Sequence, residues 1–194
     1  MTPERFALGF RVKSGHAIAV ALTGPAASPT PLARGVVALS DPTIEETKQP
    51  FHDGFGTAQE DEAEIARLVK IIERCARQSI DALLADARLS GHRCRRAGLV
   101  VGSVIDPAKV GNLHIRAHTN EGRLFRTVLA DALGARQIAC DVIVDKMLGA
   151  ASAKTLARTP AQMVKALGEF GRALGGPWRA EEKAAAVAAW MALQ

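Results

Sequence analysis

The chain has 194 residues, of which 48% are hydrophobic and 23% charged, with a formal net charge of +5. That length suffices for a well-buried core, and the balance of apolar and charged residues excludes a disordered chain. With no Tyr, six Phe and two Trp, the composition also argues against an aromatic stacking platform of the kind used on single-stranded nucleic acid.

The first expected elements are strands. Phe6 to Leu22 reads as a strand pair with a tight turn at Lys13-Ser14-Gly15, and Ala17 to Leu22 is apolar enough to be buried. Pro25 to Pro31 is a Pro/Ala/Ser loop, and Ala33 to Leu39 is the next strand, ended by Asp41-Pro42. Residues 43 to 59 lack periodicity apart from a short extended piece near Gln49 to His52. A helix follows from Asp61 to Leu89, because Ile65, Leu68, Val69, Ile72, Ala76, Ile80, Leu83 and Leu84 keep three-four spacing. Its acids come first and its bases later, which complements the helix dipole and makes a solvated outer face.

Ala97 to Ile105 is a continuous apolar run, the pattern of a strand covered on both faces. A second helix is expected from Thr119 to Leu133, capped by Gly134, and Gln137 to Val144 reads as another buried strand. From Gly149 to Gln194 the chain reads as helices interrupted at Thr159-Pro160 and Gly175-Gly176-Pro177. Trp178 and Trp190 there are expected as core or dimer contacts. The whole is expected to form one α/β domain over 1–194, strand-rich over 1–58, an α/β core over 59–148 and C-terminal helices over 149–194. Strands joined through helices must cross over, so the sheet should be mixed and mainly parallel, flanked by helices.

This element order resembles the ribonuclease H-like fold shared by resolvase-type nucleases and the half-domains of actin-like ATPases. The resemblance implies two metal ions held by carboxylates from the first strand, the fourth strand and the last helix, since Mg²⁺ prefers hard oxygen ligands. The sequence departs from that pattern. Gly9 to His16 contains no acid, Asp106 matches one position, and aligning Glu181-Glu182-Lys183 with the last helix puts Lys183 where an acid is expected. The ATPase branch would need a phosphate-cradling turn, which Lys13-Ser14-Gly15-His16 could supply, or else a simple hairpin turn occupies that place. No Walker or G-x-G-x-x-G sequence is present.

The densest polar segment is Leu113 to Arg126, which holds two of the five histidines and three arginines. His114, His118 and Glu121 stand at i, i+4 and i+7, a spacing that on a continuous helix could hold Zn²⁺ or Mn²⁺. Thr119 or Asn120 could instead cap a helix that starts after both histidines. Arg116, Asn120 and Arg123 share their own face and suit an anion, with His118 as an added donor. The seventeen Arg against eight Lys point the same way, toward planar anions.

Cys75, Cys94 and Cys140 are widely spaced, which argues against a disulfide framework and a Cys-based zinc site. Without a G-x-S-x-G elbow or a Cys in nucleophilic surroundings, covalent hydrolase chemistry is not expected. No signal peptide or membrane-length apolar run is visible, so a soluble cytoplasmic location is expected.

The leading expectation is a binding protein for a phosphate-bearing ligand, nucleic acid or nucleotide. Lys13, Ser14, His16, Arg116, His118, Asn120 and Arg123 would contact it. The enzymatic alternative is metal-dependent phosphoester hydrolysis, with Asp106, Glu121 and His114 or His118 holding a divalent metal. A third reading is a structural subunit of a homo-oligomer, joined through the Ala-rich C-terminal helix.

Overall fold

Strand β1 (Glu4–Lys13) turns through Ser14-Gly15 into the antiparallel β2 (His16–Thr23). Gly15 has φ of 77°, a left-handed conformation in which a side chain would be strained, and an added Cβ would also lie 2.9 Å from the Ser40 hydroxyl. Strand β3 (Thr30–Ala38) pairs antiparallel with β2 and forms one edge. The computed structural model describes residues 4–54 and 57–194. Met1–Pro3 and Phe55–Gly56, inside the region expected to be strand-rich, lie outside the described residues.

Helix α1 (Glu62–Leu84) starts at Asp61, whose side chain accepts from the Ala63 and Glu64 amides. It stops earlier than the apolar spacing suggests, because Asp86 caps a separate 3₁₀ turn, Ala87–Leu89. Strand β4 (His92–Val101) then runs parallel to β1, and β5 (Ala139–Val144) runs parallel to β4. The strand order is β3-β2-β1-β4-β5. The sheet is mixed as expected, and its parallel pairings are two of the four.

Three expected boundaries move. β4 ends at Val101 because its partner β5 ends there, and Val104 and Ile105 are left exposed. β5 is an edge strand, with Val142 45% exposed, so its apolar sequence marks one-sided packing. Helix α2 (Leu113–Gly134) begins six residues before Thr119. Asn112 is the cap, accepting from the Ile115 amide at 3.0 Å, whereas the Thr119 hydroxyl donates back to the Ile115 carbonyl as a mid-helix threonine does. At the other end Gly134 lies within the helix. Gln137 takes the left-handed conformation, with φ of 60°, and the Ile138 amide closes onto the Leu133 carbonyl.

Period-2 alternation divides the strands between two faces. Phe6, Leu8, Phe10 and Val12 of β1 and Ala17, Ala19 and Ala21 of β2 pack with Ile72, Ile80, Phe125 and Leu129 of α1 and α2. Ile18, Val20 and Leu22 point the other way, toward the C-terminal helices. Those helices are α3 (Leu148–Leu156), α4 (Pro160–Leu174) and α5 (Ala180–Ala192). Trp190 is used inside the chain: its ring meets Phe170 edge to face and its indole N–H donates to the Ala26 carbonyl at 2.7 Å. Trp178 is half-buried against Gly171 of α4.

Helix α5 lies with its backbone directly on β1 and β4. Gly9 and Gly98 are register partners there. A Cβ on Gly9 would enter the Ala185 carbonyl and Ala189 amide, and one on Gly98 would sit 2.8 Å from the Ala188 carbonyl oxygen. Gly9→Ala should therefore destabilise by about 1–3 kcal/mol or more, as overpacking does. Gly35→Ala, whose Cβ meets nothing within 4 Å, should leave stability unchanged or slightly raised. Urea denaturation midpoints test the pair, and equal losses would contradict this packing.

Candidate functional site

Helix α2 places its polar residues by phase. His114, His118 and Glu121 share one face, whereas Arg116, Asn120 and Arg123, each offset by two residues, lie about 200° away. Phe125, Val128 and Leu129 bury the helix against the sheet. Glu121 belongs to the inner part, with only 1% of its side chain exposed.

The partner of Glu121 comes from a loop. The His52 amide donates to Gln49, the Asp53 amide to Thr57 and the Gln59 amide to Phe51. These bonds hold a short looped segment that presents His52 to α2. His52 Nδ1 and Glu121 Oε1 are 2.6 Å apart, a hydrogen bond in which a carboxylate would accept from Nδ1–H. His118 Nδ1 comes within 3.4 Å of the other oxygen, Oε2. The three imidazoles crowd together, with ring centroids 5.2 Å apart for His52–His114, 4.4 Å for His52–His118 and 4.6 Å for His114–His118. One nitrogen from each ring lies within 4.8 Å of the others. Among the described residues, His52 Nε2 and Glu121 Oε2 are buried without a hydrogen-bond partner.

Two clefts border this cluster, one through His114 and one through His118. One, of about 270 Å³, opens where β1 and β4 end and is lined by Arg11, Lys13, Ser14, Gly102, Ser103 and His118 among others. No carboxylate is among its lining residues. Arg11 donates to Asp145 at 2.9 Å, and Lys13 pairs with Glu181 at 3.0 Å. The Lys13 ammonium holds the Glu181 carboxyl below its ordinary value. The other cleft, of about 690 Å³, runs past His114 and is lined by Asp53, Gln59, Glu60 and Asn112 among others.

Of the expected ligand contacts, Lys13, Ser14 and His118 therefore share a cleft. His16 starts β2 with Nδ1 toward the Ser14 carbonyl, at 3.3 Å. Arg116 is turned back to donate to the Val110 carbonyl at 2.8 Å. Arg116, Asn120 and Arg123 line neither cleft. Asp106 caps the 3₁₀ turn Pro107–Lys109 by accepting from the Ala108 amide, and it also lines neither. Two residues at the site carried little sequence signal: His52 stands in the aperiodic stretch Pro50-Phe-His-Asp-Gly54, and Arg11 is a cation between the apolar Phe10 and Val12 of a strand.

No protein-family model and no curated protein matches the chain. Among solved structures it is similar to Thermus thermophilus RuvC, at 10% identity and a TM-score of 0.55, covering 96% of this chain and 92% of that one. A second similar structure is T. thermophilus RuvC in complex with a Holliday junction substrate, at 10% identity, a TM-score of 0.53 and coverage of 96% and 91%. The fold is ribonuclease H-like.

The resolvase resemblance implies carboxylates from the first strand, the fourth strand and the last helix, and of these only Asp106 is matched, which caps the turn after β4. The β1 end offers Arg11 and Lys13, and the β4 end offers Gly102 and Ser103. On α5, Glu181 is paired with Lys13, and Glu182 is buried, accepting from the Arg179 amide at 2.8 Å. Among the described residues, no carboxylate lines the cleft where β1 and β4 end.

Two outcomes follow from these environments. His52→Ala would leave the buried Glu121 carboxyl without its hydrogen bond, an expected loss of about 1–3 kcal/mol. Arg136→Ala, which breaks the half-exposed pair with Asp81, should cost no more than about 1 kcal/mol. Thermal melts of both variants check this order. The cysteines should be unreactive: burial pushes Cys94 up to about 12 and Cys140 up to about 11, the latter helped by Asp141. A raised thiol value means a neutral thiol below it. Both should therefore resist a disulfide reagent at pH 8 in the folded chain and react in urea.

Proposed function

We propose that this chain binds the phosphates of a nucleic acid in the cleft where β1 and β4 end. The observation that supports the reading best is the lining of that cleft: Arg11, Lys13, Ser14, Ser103 and His118, with no carboxylate among the lining residues. In open α/β sheets the carboxyl ends of parallel strands are where ligands sit. The structural similarity agrees, since one of the similar structures is a complex with a Holliday junction substrate.

The two cations are held in place before any ligand arrives. Asp145 orients the Arg11 guanidinium and Glu181 orients the Lys13 ammonium, which reduces the ordering cost of binding. The same pairs temper the local potential, so affinity is expected to be moderate and strongly salt-dependent. The chain has no tyrosine, and the cleft presents no side chain suited to bidentate base reading beyond Arg11. Recognition is therefore of backbone and shape, with little dependence on base sequence.

A hydrolytic reading in which Asp106 and Glu121 together hold an ion has less support, because Asp106 caps a turn and Glu121 is bonded to His52. A homo-oligomer built on the tryptophans also has less, because Trp190 is 2% exposed within its own chain.

Fluorescence anisotropy with duplex and four-way-junction DNA over a salt series tests the reading. Binding should weaken linearly in log salt, and Arg11→Gln with Lys13→Gln should reduce the slope by about 2, near 0.9 per lost duplex phosphate contact. A slope and affinity unchanged in that double variant, with melting temperature retained, would overturn it.

A further inference from the structure

We propose that His52, His114 and His118 form a three-imidazole site for a borderline transition-metal ion of the Zn²⁺ type, with Glu121 as the positioning residue behind it. This differs from the set His114, His118 and Glu121 that the helix spacing suggested: Glu121 moves behind the ligands and His52 replaces it.

The hydrogen bonding leads to this assignment. With Nδ1–H of His52 committed to Glu121, the lone pair of His52 is on Nε2, the buried nitrogen that lacks a partner among the described residues. Only 5% of the His52 side chain is exposed, so water does not readily satisfy that nitrogen. A carboxyl group behind an imidazole, with the far nitrogen free, is the usual outer support of a metal-bound histidine, fixing tautomer and ring orientation. Glu121 faces a second imidazole as well, with Oε2 directed to His118 Nδ1. One buried carboxyl thus holds the His52 ring by a hydrogen bond and stands beside a second ring without one.

The donor set selects the ion. Three neutral nitrogens suit Zn²⁺ and its neighbours, whereas Mg²⁺ and Ca²⁺ require oxygen ligands. Tetrahedral Zn²⁺ with Zn–N of about 2.0–2.1 Å needs nitrogens about 3.4 Å apart. The present spread of up to 4.8 Å closes by rotation of His114 and His118, both exposed residues of α2. Of the segment's three arginines, Arg116 is bonded away at the Val110 carbonyl, Arg126 donates to the Ser103 carbonyl, and Arg123 is offset about 200° from the histidine face. Three protein ligands leave one coordination position, as in catalytic rather than closed structural zinc sites. It would open between the clefts that His114 and His118 line.

The test uses the full chain stripped of metal and is independent of nucleic-acid binding. Titration with Zn²⁺ against a chromophoric chelator should show a single saturable site that excess Mg²⁺ does not displace, and Co²⁺ should give the d–d absorption of a tetrahedral nitrogen site. His114→Ala and His118→Ala, at exposed positions, should keep the melting temperature of the metal-free chain. Each should weaken binding by more than the roughly 100-fold that a lost outer partner can cost. Glu121→Gln should weaken it by about 10–100-fold while the Co²⁺ spectrum persists. Absence of a saturable site, or affinity unchanged in the histidine variants, would overturn the centre. A Co²⁺ spectrum that changes character in Glu121→Gln would make Glu121 a ligand and overturn its positioning role.

Discussion

Gly9 and Gly98 face each other across the parallel β1–β4 ladder, and the backbone of α5 occupies the space their missing side chains leave. Helix and sheet normally keep a layer of side chains between them. Here Ala185, Ala188 and Ala189 of α5 press main chain against main chain. The close seat fixes where α5 begins, and that start carries Glu181 to Lys13 at the end of β1. The charge pattern at the sheet's carboxyl edge therefore depends on two glycines in the middle of the strands.

The opposite face works by ordinary side-chain packing, and its consequence is the phase of α2. Phe125, Val128, Leu129, Ala132 and Leu133 must face the sheet, which leaves little freedom in how the helix is rotated. Glu121 lies one turn before Phe125 on the same side, so it is buried whether or not it has a partner. A buried carboxyl without hydrogen bonds is costly, and His52 meets that need. His52 is thus tied to α2 by a polar contact, and the backbone bonds described around it, His52 to Gln49, Asp53 to Thr57 and Gln59 to Phe51, stay within its own segment.

Much of this was legible in the sequence because it follows from local pattern. The three-four spacing of α1 and the apolar β1, β2 and β4 gave the layers, and the helix-strand alternation gave the crossovers. The start of α2 was not legible: Asn112 and Thr119 are both good capping residues, and only the tertiary setting chooses between them. His52 was hidden for a related reason. It is 69 residues from Glu121 in sequence, in a segment whose conformation follows no period, so nothing local marks the contact. β5 was read as buried because edge strands with one apolar face resemble central ones over six residues.

The ribonuclease H-like sheet offers the same end for ligands whatever the residues there, but those residues decide which charges can share it. A divalent cation placed between Arg11 and Lys13 would meet two positive groups whose carboxylates lie outside the cleft lining. A phosphate would meet donors. The nitrogen donors proposed for a cation gather instead on α2 and its loop, where a single buried carboxyl holds the His52 ring. His118 belongs to both places, since it lines the strand-end cleft and stands in the imidazole cluster. A phosphate and a cation, as proposed, would lie side by side across that one histidine, with Asp145 and Glu181 paired to Arg11 and Lys13.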